Sequence, residues 1–245
     1  MGIKKLILDE TQYVSGYDNA EDKYVLSASM VDREPLQNYL TIVNGRTPQL
    51  EIDDTSLGSV FHLGMETMVN KVINTDEYRD NIVGSEMSFH TELPNGWIIS
   101  GTADLVTKDE DHYSIHDYKL SKQYAKRMMI KELHSHTYTV QLQVLDFLFR
   151  EDNGRPALID GEINLLCEFF VKDAKAIEKQ PTYERIVCPN IEGSEEFNAR
   201  EIMRQKLVTI TDSLQSYIES GTIPPVCADR WPRNVKGTVI PTKCA

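Results

Sequence analysis

The chain has 245 residues, 40% of them hydrophobic and 26% charged, enough to bury one substantial core and short for two full domains. No stretch approaches the ~18 consecutive apolar residues of a membrane span, so a soluble protein with no membrane partner is expected. The net charge of −12 argues against a broad basic surface, so a polyanionic partner has to be met by a local cluster of Lys and Arg.

The apolar run at residues 1–10 is too short for a secretory signal, which makes the cytoplasm the expected location. Cys167, Cys188, Cys227 and Cys244 include no Cys-x-x-Cys pair and are too sparse for a disulfide framework, so reduced thiols are expected.

Residues 1–26 and 35–56 mix short apolar runs with turn residues and carry no strong element. From Asp54 onward, Phe61, Met65, Met68 and Val72 recur at i, i+4, i+7 and i+11, predicting a helix to about Asn74. Strands are expected over 86–93 and 97–107, joined by the turn Pro94-Asn95-Gly96, and over 113–121, giving an antiparallel meander. Tyr138, Leu142, Leu145 and Phe149 mark a second helix, ending at Asn153-Gly154. The alternation Ile163, Leu165, Cys167, Phe169, Val171 predicts a strand, and another is expected near 182–188. A long helix should start near Ser194 and stop at Gly221, leaving 223–245 as an irregular, Pro-interrupted tail. This order implies an α/β (α+β) fold, a central mixed sheet flanked by helices, with a helix crossing over between the third and fourth strands.

Chemistry concentrates in the meander. Side chains two apart on a strand share a face, so Asp117 and Lys119 project together while His116, Tyr118 and Leu120 project oppositely. Asp104, on the preceding strand, should lie beside Asp117 as a cross-strand neighbour. Two clustered carboxylates repel unless a cation sits between them, and hard Mg²⁺ or Mn²⁺ takes oxygen ligands. A cation that polarises a phosphate, with an ammonium beside it to position water, is a phosphodiester-cleaving set. An isolated Asp-x-Lys, however, is far more often an ordinary solvated strand face.

The wider run, Gly101-Thr-Ala-Asp104 followed by His116-Asp-Tyr-Lys119, resembles the RecB-like branch of the PD-(D/E)XK nuclease superfamily, with its Gly-x-x-Asp and Asp-Tyr-Lys strands. Upstream, Gly58-Ser-Val-Phe-His62 is similar to that branch's Gly-x-x-x-His helix. Downstream, Gln141-Leu-Gln-Val-Leu145 is similar to its Gln-Leu-x-x-Tyr helix, with Leu145 in the aromatic position. These motifs span roughly residues 58–147 in the family's order, within a single nuclease domain over 1–245 with a restriction-endonuclease-like core.

The resemblance implies a metal-dependent DNA nuclease in which Asp104, Asp117 and Lys119 are catalytic. His62, Asp104, Asp117 and the backbone carbonyl of Tyr118 would hold Mg²⁺ or Mn²⁺, and Glu86 sits where the family often has a supporting acid. Gln141 would contact substrate or orient the site. Lys122, Lys126, Arg127 and Lys131, with Tyr124 among them, form the densest basic cluster, either tracking a phosphate backbone or forming a solvated face. Some relatives hold an iron–sulfur cluster with one Cys before the core and three after it. No Cys precedes His62 here, so none is expected. Exonuclease and single-strand or flap nuclease remain open, in recombination, repair or replication alongside proteins of those pathways, in a compact form like those of bacteriophages. The rival is a catalytically silent nuclease-fold protein acting in nucleic-acid binding or assembly.

Overall fold

The computed structural model describes residues 23–44, 54–73, 75, 78, 81–110, 112–152, 163–171, 183–193 and 198–225, and the backbone of 232–235 and 238–241. Its elements in order are β1 (Val25–Ser27), a 3₁₀ turn (Ala28–Met30), α1 (Pro35–Asn44), α2 (Asp54–Val72), β2 (Ile82–Glu92), β3 (Ile98–Asp109) and β4 (His112–Ser121). There follow α3 (Gln123–Lys131), α4 (Thr137–Glu151), β5 (Asn164–Val171), β6 (Tyr183–Cys188), α5 (Ala199–Ser220), β7 (Pro232–Val235) and β8 (Thr238–Pro241).

Six strands form one mixed sheet in the order β1-β3-β4-β5-β6, with β2 paired to β3. The expected meander of β2, β3 and β4 is antiparallel, and β4 and β5 run parallel, the pairing that a helical crossover produces. Two helices, α3 and α4, occupy that crossover where the periodicity predicted one. Gln123 to Lys131 is thus helical, with Lys122 at its N-cap, the charges having masked a short amphipathic pattern.

Helices cover both faces of the sheet. Phe61 of α2 packs on Phe170 of β5 (ring centroids 4.9 Å), while α4 sets Gln141 against Asp117 and Lys119. Because Lys119 pairs with Phe169 and Leu120 with Phe170, the alternation of side chains puts these contacts on opposite faces. The core lies on the α4 side, where Leu142, Val144, Leu145, Leu148 and Phe149 are buried together with Phe89, Ile99, Val106 and Ile115. Helix α5 ends at Gly221, whose φ of 64° suits the left-handed C-terminal position, and its N-cap Asn198 accepts from the Glu201 amide at 3.0 Å. Asn95, in the β2–β3 turn, donates to Thr211 and Asp212 of α5, each at 2.8 Å, tying that turn to the helix.

Besides α3, the elements β1, α1, β7 and β8 depart from the sequence-based expectation. Strand β1 has only three residues and owes its place to parallel pairing with residues 98–100 of β3, a long-range contact that no local pattern signals. Helix α1 opens at Pro35, which suits a first helical turn, and is anchored where buried Asn38 donates to the Met30 carbonyl at 3.0 Å. In the tail expected to be irregular, β7 and β8 pair antiparallel, separated in sequence by Lys236-Gly237, a two-residue spacing typical of hairpins, with prolines only at the outer ends. Asn153-Gly154, Ser194, Cys227 and Cys244 lie outside the described residues.

Gly101 sets how closely α4 approaches the sheet. A Cβ there would lie 2.7 Å from Leu145 Cδ2, 3.2 Å from Leu148 Cδ1 and 3.0 Å from Ala28 Cβ. Leu145 therefore fills the space over Gly101 and is fully buried. Replacing Gly101 with Val should lower unfolding stability by about 1–3 kcal/mol through overpacking, measurable by urea denaturation.

Candidate active site

The site forms where β3 and β4 part. Their backbone ladder ends at the pair Leu105–His116, and the next positions in that register are Asp104 and Asp117. Beyond the ladder, Asp104 Oδ2 accepts from the Tyr118 amide at 2.5 Å, so a carboxylate takes the place of a strand carbonyl. Its other oxygen, Oδ1, lies 3.1 Å from His62 Nδ1 on α2.

Opposite Asp104 across the β2–β3 pair stands Glu86, flanked by the pairs Ser85–Leu105 and Met87–Ala103. Glu86 has φ 47°, a left-handed conformation that costs a non-glycine residue roughly 1–2 kcal/mol and that concentrates at functional sites. Burial first, then the negative charge of Asp104, pushes the Glu86 carboxyl up to about 7, with His62 opposing; Glu66, one turn after His62, adds to the rise. Burial acts to lower the His62 pKa, but the hydrogen bond and charge of Asp104 outweigh it and leave it raised.

Asp117 and Lys119 lie on one face, as the strand parity predicts. Lys119 Nζ donates to Asp117 Oδ1 at 2.9 Å and lies 2.7 Å from Oδ2 without hydrogen-bond alignment, leaving buried Oδ2 with no aligned donor. Gln141 of α4 bridges the pair, donating to Asp117 Oδ1 at 3.1 Å and accepting from Lys119 Nζ at 3.4 Å. Burial raises the Asp117 carboxyl against the pull of Lys119, while Asp117 and Asp104 keep Lys119 protonated despite its partial burial. The Tyr138 ring, which the sequence reading did not assign to the site, lies under the ammonium with its centroid 4.7 Å from Nζ. Its signal was present: Tyr138 precedes Gln141 by three residues, so both project from the same face of α4.

Metal binding is tested by the donor set. Among the described residues, ligand atoms of His62, Glu86 and Asp104 lie within 4.8 Å of one another, close enough to share one ion. Asp117 is not in that mutual cluster, its carboxylate being held by Lys119 and Gln141. Two carboxylates and an imidazole, with Glu86 at raised proton affinity and Asp117 Oδ2 lacking an aligned donor, fit a divalent cation that prefers oxygen ligands.

The basic cluster divides. Lys122, Arg127 and Lys131 are exposed, but Lys126, grouped with them in sequence, is buried and ion-paired with Glu184 of β6. As the inward side of an amphipathic helix, Lys126 fixes α3 to the sheet and is not available to a phosphate backbone. Cys167 and Cys188 are free and buried, and burial raises both thiols, Cys188 to about 11.

Behind Asp117, on the opposite face of β4, His116 Nδ1 lies 2.9 Å from Glu168 Oε1, which also accepts from Arg185 Nε at 2.9 Å. Glu168 Oε2 accepts from the Tyr183 hydroxyl at 2.5 Å, and His116 Nε2 lies 3.0 Å from Thr107 Oγ1. This network ties β3, β4, β5 and β6 together beneath the site.

Residues 27–227 match the PD-(D/E)XK nuclease superfamily, and the chain belongs to it. In fold it is similar to SSO0001, with TM-score 0.53, 16% identity and 88% of each chain covered. It is also similar to an exonuclease candidate from Eubacterium rectale, with TM-score 0.50, 12% identity and 94% of this chain and 96% of that chain covered. No curated protein sequence matches.

Glu168 makes a pH prediction. Burial alone would raise its carboxyl, but hydrogen bonds from His116 and Tyr183 and the charge of Arg185 outweigh burial and hold it below the ordinary value. A depressed folded pKa contributes stability above the unfolded value of about 4.3, and that contribution is lost as pH falls through the folded value. Thermal midpoints of wild type and Glu168→Gln should therefore differ most near neutral pH and converge below about pH 4.

Proposed function

We propose that this nuclease hydrolyses phosphodiester bonds of DNA with Mg²⁺ or Mn²⁺. The observation that carries the reading is the convergence of His62, Glu86 and Asp104 on one point beside the Asp117–Lys119–Gln141 group. His62, Glu86 and Asp104 would hold the cation, with Asp117 and the Tyr118 carbonyl adjoining. A bound divalent ion polarises the phosphate and acidifies water.

The remaining work belongs to the chain itself. Asp117 orients Lys119, whose protonated ammonium positions the attacking water or stabilises charge developing on the phosphate. Gln141 keeps Asp117 and Lys119 in register, and Tyr138 backs the ammonium as a cation–π partner. Lys122 and Arg127 would contact the substrate backbone. Exonuclease or single-strand or flap cleavage in recombination, repair or replication is the matching role, in the cytoplasm and in a compact single-domain form like those of phages.

The net charge of −12 favours the rival, a catalytically silent nuclease-fold protein in nucleic-acid binding or assembly. Linear and circular, single- and double-stranded DNA separate the two. Wild type should cut with Mg²⁺ or Mn²⁺ and stop in EDTA, and Lys119→Ala should lose about a hundredfold or more in rate. Degradation confined to linear DNA selects the exonuclease; all substrates left intact by wild type would leave the silent reading.

A further inference from the structure

We infer that the outer face of α3 is a binding track for an unpaired DNA strand, with Tyr124 as a stacking platform and Lys122, Arg127 and Lys131 as phosphate contacts. This rests on the nuclease reading and deepens it by naming the form of the substrate.

The helix is divided cleanly. Gln123, Lys126 and Met129 recur every third residue and are buried, whereas Lys122, Tyr124, Arg127 and Lys131 are exposed. Tyr124, Arg127 and Lys131 follow i, i+3, i+7 spacing and so form one stripe along the helix. Tyr124 is 65% exposed, an unusually open position for an aromatic ring.

The location follows from chain connectivity and register. Lys122 comes three residues after Lys119, so an extended chain carries the start of the stripe at most about 10 Å from the ammonium's own Cα. Lys126 is paired with Glu184, which stands opposite Phe169, itself opposite Lys119. The middle of α3 is thus tied two strands over from β4, roughly 10 Å across the sheet. The stripe therefore starts at the end of the strand bearing Lys119 and runs toward β6.

Its charges are free to meet a polyanion. Arg150, Arg185, Arg200 and Arg204 are each paired with a carboxylate, whereas among the described residues none of Lys122, Arg127 and Lys131 is in an ion pair. In a chain of net charge −12, this is a local patch of the sign that phosphates require. The exposed ring narrows the partner further. Bases within a duplex have both faces covered by their neighbours, so a ring set among cations can stack only on a strand whose bases are free.

Fluorescence anisotropy of labelled single-stranded and blunt duplex DNA, in EDTA so that nothing is cut, tests this directly, with circular dichroism verifying that each variant is folded. Tyr124→Ala should weaken single-strand binding about tenfold, Tyr124→Phe should restore it, and duplex binding should not change. Arg127→Ala should weaken binding and reduce its salt dependence by about one released ion. The inference is overturned, with the nuclease reading intact, if wild type cuts DNA while Tyr124→Ala binds single strands normally, loses both forms equally, or is not rescued by Phe. A wild type that neither binds nor cuts any DNA overturns both.

Discussion

The parting of β3 and β4 is the constraint on which the rest of the site depends. Up to Leu105 and His116 the two strands satisfy each other's backbone groups; two residues further, the Tyr118 amide would be left without a partner in a buried position. The Asp104 carboxylate accepts that hydrogen bond, so the same side chain that closes a gap in the sheet is locked with its other oxygen toward His62. Removing the carboxylate would cost the fold a buried hydrogen bond and break the His62 contact together.

Around that point the molecule accepts unfavourable local terms. Asp117 is buried beside the half-buried Lys119, with a desolvation cost on its carboxylate that Lys119 and Gln141 only partly offset. Glu86 adopts a left-handed backbone in mid-strand, and its carboxyl resists ionisation. A divalent cation would relieve the repulsion among these carboxylates. Stability comes from elsewhere, from the aliphatic and aromatic layer between α4 and the sheet and from the Glu168 network behind β4.

Much of this was legible in the sequence because the information is local. Period-two alternation fixed Asp117 and Lys119 on one face, and the short β3–β4 connection fixed Asp104 opposite Asp117. The 3.6-residue period located α2 and α4, and the family resemblance picked out His62 and Gln141 on them. What was not legible depends on tertiary context. Strand β1 exists only through its pairing with β3, and the left-handed backbone of Glu86, which the resemblance named only as a supporting acid, has no local sequence signal. The inward turn of Lys126 follows from a partner 58 positions away. Leu145, where the family resemblance leads one to expect an aromatic residue, is explained by Gly101: the space above that glycine suits an aliphatic side chain, and the ring near Lys119 comes from Tyr138, one turn earlier than Gln141.

In the proposed mechanism His62, Glu86 and Asp104 form one divalent-cation site. Crystals soaked in Mn²⁺ and measured at the manganese absorption edge test it most directly. An anomalous peak is expected at about 2.0–2.6 Å from ligand atoms of all three residues. A peak confined to other side chains, or no peak at saturating Mn²⁺, would contradict it.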